Sequence, residues 1–388
     1  MWVAAGDFYR RIMRTRVLVL SIGTAAVLLS ACATSAAEPV PAPSGVHARA
    51  DTVRGDLDGL IRAGAVGALA TLTDNGVTTV LAAGNADLAA GRPMPVDPAQ
   101  HVRVGSVTKS FTAAVVLQLA AEGRVDLDRP IETYLPGLLT GDGVDGRVIT
   151  VRQLLGHRSG LPEPTEALGV NEHTAALLGR TFTPAQEIAL ALRYPAQFSP
   201  GARFDYTNTN YIVAGMLIEA VTGRGYGEEL RDRILTPLGL SGTYLPATGE
   251  TGLREPHPTG YTTVDGTIAD ETRMEPSVPW ASGALVSTGA DLNRFYTALL
   301  SGRVVPLTQL RQMLDGVDMG GDDGMSYGLG VGYAQLPCGS RFVGHVGGVR
   351  GFTAVAGATE AGRAVAFSFT GTPTATEIAT LLTHALCD

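Results

Sequence analysis

The sequence predicts an α+β fold in which one antiparallel sheet carries packed helices and is interrupted by a largely helical insertion at about residues 124–275. Three observations predict it. A helix-spaced stretch and a hairpin open the folded region, strand-like runs return only near the C-terminus, and the long block between alternates helical patterns with loops.

In chain order, residues 51–63 place Val53, Leu57, Leu60 and Ile61 at helical spacing. Two β-like runs follow at 66–72 and 77–83, joined by Thr73-Asp74-Asn75-Gly76, whose Asn-Gly pair suits a tight hairpin because both residues tolerate positive φ. A long helix is expected over 106–122, with Ala113, Val116, Leu117 and Ala120 on its buried face. Within the insertion, helical patterns fall at 151–155, 184–193 and 211–222, and another at 292–300 leads out of it. Strand-like runs then occupy 328–333, 340–344, 351–358 and 364–369, and a helix over 375–386 closes the chain.

The 388 residues are 45% hydrophobic and 17% charged, which supplies a large core and excludes intrinsic disorder. A net charge of −8 argues against a nucleic-acid-binding face. Arg10, Arg11, Arg14 and Arg16 precede an apolar run at 17–29, shorter than a membrane span but suited to a signal-peptide core. Leu29-Ser30-Ala31-Cys32 follows and resembles the lipobox of bacterial lipoproteins. The expectation is a signal peptide over 1–31, lipidation of Cys32, a proline-rich tether over 32–49 and a folded domain over 50–388. The domain would then face outward from the cell membrane, or be secreted without the lipid. Removing 1–31 takes the charge to −11. In an exported protein the two other cysteines, Cys338 and Cys387, are expected to form a disulfide.

The 29 basic residues include a single lysine, Lys109, three positions after Ser106 in Val104-Gly105-Ser106-Val107-Thr108-Lys109. On a helix these two side chains share a face, and the helix N-terminus favours negative charge developing near the serine. A desolvated lysine can lose its proton and act as a base, whereas arginine cannot. A second segment, Phe204-Asp205-Tyr206-Thr207-Asn208, brings a phenol and an amide to one loop. A third, Gly344-His345-Val346-Gly347-Gly348-Val349-Arg350, is expected to lie between strands, where its glycines allow a ligand to approach the backbone.

Together these segments resemble the active-site serine penicillin-recognising enzymes, namely D-alanyl-D-alanine carboxypeptidases, class C β-lactamases and their esterase relatives. The family elements S-x-x-K, Y-x-N and K/H-T-G match Ser106/Lys109, Tyr206/Asn208 and His345/Gly347. Leu154-Leu155-Gly156-His157-Arg158-Ser159-Gly160-Leu161 and Tyr327-Gly328-Leu329-Gly330 support the match, which runs from about residue 51 to the end. The resemblance implies a β-lactamase/transpeptidase-like fold and acyl transfer without metal or cofactor. Ser106 would be the nucleophile, Lys109 and Tyr206 the proton-shuttling pair, and Asn208, His345, Gly347 and Gly348 the substrate-binding groups. The N–H groups of Ser106 and Gly348 would form the oxyanion hole. Val346 departs from the pattern, because a threonine there often helps to hold a substrate carboxylate; Arg350 is the candidate replacement. His157, Arg158 and Trp280 are candidate pocket walls. The implied activity is that of a serine-type D-alanyl-D-alanine carboxypeptidase on D-alanyl peptides or related amides, with an esterase or β-lactamase as alternatives. A non-catalytic cell-wall-binding lipoprotein is the alternative of another class. The expected partner is a peptidoglycan-type peptide or a small ester or amide, not nucleic acid, and the expected state is a monomer.

Overall fold

The computed structural model describes residues 44–164, 168–320, 324–374 and 377–387. The signal segment and Cys32 lie outside them. Five helices frame the fold: α1 Ser44–Arg62, α2 Thr108–Ala121, α3 Thr209–Thr222, α4 Gly289–Leu300 and α5 Ile378–Leu386. α1 starts at Ser44, inside the segment expected to be tether. The main sheet contains β1 Ala65–Asp74, β2 Val77–Asp87, β3 Arg92–Pro93, β4 Val317–Asp318, β5 Ser326–Tyr327, β6 Gly332–Gln335, β7 Arg341–Val349, β8 Phe352–Thr359 and β9 Ala364–Gly371. Its order is β4-β5-β6-β7-β8-β9-β1-β2-β3, so its first and last strands in chain order, β1 and β9, pair inside it.

Local sequence accounts for the framework. Asn75 and Gly76 adopt φ of 50° and 79°, the pair of positive values a two-residue hairpin needs, and set β1 against β2. The strand expected over 328–333 is broken, because Gly330 at φ 81° turns the chain between β5 and β6 against α2. A Cβ there would stand 2.9 Å from the Lys109 carbonyl oxygen. β7 does not stop at Gly344, as expected, but pairs with β8 through Val349. The glycine segment expected between strands is therefore itself strand.

The block expected to be helical does hold α3 and the short helices Val151–Leu155, Glu172–Leu178 and Pro184–Ala191. It also holds two small hairpins, Thr140–Gly141 with Val144–Asp145 and Tyr261–Val264 with Thr267–Asp270.

Two cores lie on opposite faces of the sheet. On one, α2, α3 and α4 bury Phe111, Tyr211, Leu217 and Phe295 with Val343 and Ala354. On the other, α1 and α5 bury Val53, Leu57 and Leu381 with Val346, Val355 and Phe367. A disulfide joins Cys338, in the β6–β7 turn, to Cys387 just after α5.

Candidate active site

Ser106 lies in a 3-10 turn, Gly105–Val107, that runs into α2 and places Lys109 one turn further on. Beyond Gly344, β7 has lost its β6 partner, and this free edge is pressed against the turn. Glycine is required for that approach. A Cβ on Gly347 would sit 2.7 Å from the Ser106 nitrogen, and one on Gly105 would sit 2.6 Å from the Gly348 nitrogen. Gly105 also holds a φ of 51°. Half-buried Ser106 and Gly348 are thus brought side by side, where two backbone N–H groups can face one oxygen.

Lys109 is fully buried. Its Nζ donates to Ser106 Oγ at 2.9 Å, Asn208 Oδ1 at 2.7 Å and the Ser282 carbonyl at 2.8 Å. Burial lowers its pKa to about 7, with the Glu163 carboxylate opposing the shift. A neutral amine has two hydrogens and one lone pair. Asn208 Oδ1 and the Ser282 carbonyl can only accept, so they take both hydrogens and leave the lone pair aimed at the Ser106 hydroxyl.

The Ser282 contact was not legible in the sequence. It comes from the single-turn helix Trp280–Gly283, which packs Trp280 against Gly215 of α3, where a Cβ would meet the indole at 2.7 Å. Trp280, expected in the pocket wall, stacks edge-on against Tyr226 and helps to seat this carbonyl.

Tyr206 and Asn208 converge with Lys109 as expected. Nζ lies 4.9 Å from the Tyr206 ring centroid, and Asn208 opens α3. Asn208 is held by a residue not singled out in the sequence. Glu163 accepts from the Asn208 backbone N–H at 2.7 Å and from Nδ2 at 3.2 Å, which turns Oδ1 towards Lys109. His157 lies behind Tyr206, rings 4.1 Å apart and 29° from parallel.

The third segment is placed differently from expectation in its side chains. His345 is 1% exposed; Nδ1–H donates to the Val346 carbonyl at 2.6 Å, and Nε2 lies 3.0 Å from Tyr327 Oη. Burial, with Lys109 nearby, lowers its pKa to about 3, so the ring is neutral. Val346 is buried in the core against α1 and α5 and offers no donor. Arg350, the candidate carboxylate ligand, is instead clamped by Glu271 at 2.5 and 2.6 Å. Arg158 donates to the Gly201 carbonyl and braces the loop that leads to Tyr206.

The beta-lactamase family model matches residues 49–386. The chain belongs to the beta-lactamase family. This family member is 36% identical to a D-stereospecific amidohydrolase from Streptomyces sp., with a TM-score of 0.79 over 86% of this chain and 98% of that one. It is 28% identical to the D-amino acid amidase from Ochrobactrum anthropi SV3, with a TM-score of 0.75 over 87% and 97% of the two chains. Penicillin-binding protein 4 of Amycolatopsis lactamdurans is 30% identical over 52% of this chain and 51% of its own. The chain spans 36–51% of the length of three such curated relatives.

Proposed function

We propose that the protein hydrolyses amides whose acyl group is a D-amino acid, through an acyl-enzyme on Ser106. The observation that carries this reading is the Lys109 amine, buried and turned by two carbonyl acceptors towards the serine hydroxyl. Ser106 Oγ attacks the substrate carbonyl carbon as its proton passes to Lys109. The oxyanion is held by the Ser106 and Gly348 N–H groups, an interaction of about 2.7–4 kcal/mol per donor in hydrolases of this kind. Lys109 and Tyr206 return the proton to the leaving amine, Asn208 orients the substrate amide, and water releases the acid.

Similarity to two D-specific amidases along nearly their whole lengths supports this acyl preference. Val346 and the clamped Arg350 favour substrates without a free C-terminal carboxylate over D-alanyl-D-alanine itself. The test compares D- and L-phenylalaninamide, D-alanyl-D-alanine and a p-nitrophenyl ester, with fluorescent penicillin as acylating probe. Preference for the D-amide, lost in Ser106→Ala, is expected. Equal rates on both enantiomers would overturn the D-preference, and turnover of the ester alone would overturn the amidase reading in favour of an esterase. We also propose export and anchoring through lipidated Cys32, checked by loss of labelled fatty acid from Cys32→Ala.

A further inference from the structure

We propose that His157 is the positioning residue for Tyr206, a neutral imidazole in a single tautomer to which the tyrosine's backbone and ring are both fixed. The inference rests on the reading of Ser106, Lys109 and Tyr206 as the acylating group. Tyr206 is bracketed by His157. The N–H of the preceding residue, Asp205, donates to the His157 carbonyl at 2.8 Å, and that of the following residue, Thr207, donates to His157 Nδ1 at 3.2 Å. Between these two bonds, the imidazole lies against the tyrosine ring.

The tautomer follows from the donors. A backbone N–H can only donate, so Nδ1 must carry its lone pair towards Thr207. Asn210 enforces the same choice. Ser159 Oγ–H donates to Asn210 Oδ1 at 2.6 Å, which turns the Asn210 Nδ2 donor towards His157 Nδ1 at 3.1 Å. The hydrogen therefore sits on Nε2, which is buried and has no hydrogen-bond partner among the described residues. Around the imidazole stand the rings of Phe204, Tyr206, Tyr211 and Tyr327, their centroids 4.1–5.9 Å from its own.

A second proton would have to displace the Thr207 bond and would add a cation beside Lys109. The titratable groups facing the ring are Lys109, His345 and the three tyrosines, and Lys109 and His345 both disfavour its protonation. The backbone carries a further mark. His157 holds φ 53°, in the left-handed region that only a few per cent of non-glycine residues occupy, at the end of the helix Val151–Leu155.

Two measurements test this. In the wild-type protein, ¹⁵N NMR of the imidazoles should show His157 as the neutral Nε2–H form from pH 5 to 9; a His157 that titrates in this range, or carries its proton on Nδ1, overturns the proposal. The second is a cycle of His157→Asn, Tyr206→Phe and the double variant. Asparagine tolerates the positive φ and keeps an acceptor for Thr207 but removes the ring.

With a p-nitrophenyl ester, His157→Asn should lower the acylation rate about tenfold, with KM changed by less than about twofold. In the Tyr206→Phe background it should cost less than about twofold more, since both act through one phenol. A full, additive tenfold loss overturns the positioning role, and so does a wild-type rate in the single variant. If the variant does not fold, the NMR result decides. If the wild-type protein acylates with no ester or amide, the functional reading fails, whereas the imidazole spectrum still tests the tautomer and its permanence.

Discussion

A lysine at the foot of a nucleophilic serine is useful because of its two hydrogens as much as its charge. With both held by acceptor-only groups, the deprotonated amine has one orientation, and that orientation faces Ser106. The base works only when neutral, so kcat/KM should rise with pH through about 7, where burial places Lys109, and stay level above it. Lys109 is the only lysine, so ¹⁵N-lysine NMR reports this titration without assignment, and a pKa near 10 would refute it. Lys109→Arg should retain the fold and lose nearly all acylation, because a guanidinium stays protonated. Glu163 supplies the opposing charge. Its removal in Glu163→Gln should move the rising limb to lower pH, since the carboxylate raises the Lys109 pKa. The same change loosens Asn208 and should lower the plateau about tenfold, the effect of losing one charged hydrogen bond. A pH–rate profile separates the two effects.

At the scale of elements, the site is the free edge of β7 set against the turn that begins α2. Gly347→Ala should abolish acylation, because the added methyl enters the space of the Ser106 nitrogen; single-turnover kinetics with the p-nitrophenyl ester check it. The hairpin and α2 to α5 were legible because apolar spacing and Asn75-Gly76 carry local information. The far half of β7 was not, since Gly344, Gly347 and Gly348 present no alternating side chains and their strand is defined by backbone pairing with β8. Glu163 was illegible for another reason: its partner Asn208 lies 45 residues away and meets it only in the folded chain.

The helix Pro184–Ala191 contains a further case. Glu187 is 1% exposed, and neither carboxylate oxygen has a hydrogen-bond partner among the described residues. Burial, with Glu163 nearby, pushes its pKa well above 4.5. Folding therefore takes up a proton between pH 4.5 and that raised value, and stability falls as pH rises through this window. Glu187→Met should raise Tm at pH 8, with a gain that shrinks as the pH is lowered towards 4.5. An unchanged Tm at pH 8 would mean that the carboxyl is solvated.

At the scale of the molecule, the sheet separates two tasks. One face holds Ser106, Lys109 and Tyr206 over the core built by α2, α3 and α4, while the other is closed by the two terminal helices. The order of the three motifs was readable in the sequence. Their convergence was not, because it depends on bringing the first and last parts of the chain together at the β9–β1 pairing. The Cys338–Cys387 disulfide was expected from the cysteine count, and the fold shows what it does: it ties α5 to the β6–β7 turn, at the end of β7 remote from Gly347. Closing a loop of 49 residues restricts the unfolded chain and stabilises the fold by about 2–4 kcal/mol. Cys387→Ser should therefore lower Tm by several degrees, while the acylation rate at 25 °C stays at the wild-type value because the site-forming edge keeps its β8 partner. Thermal melts and p-nitrophenyl ester acylation rates on the same preparation make the comparison. A fall in the rate that parallels the fall in Tm would show that the closing face also governs the geometry of the site.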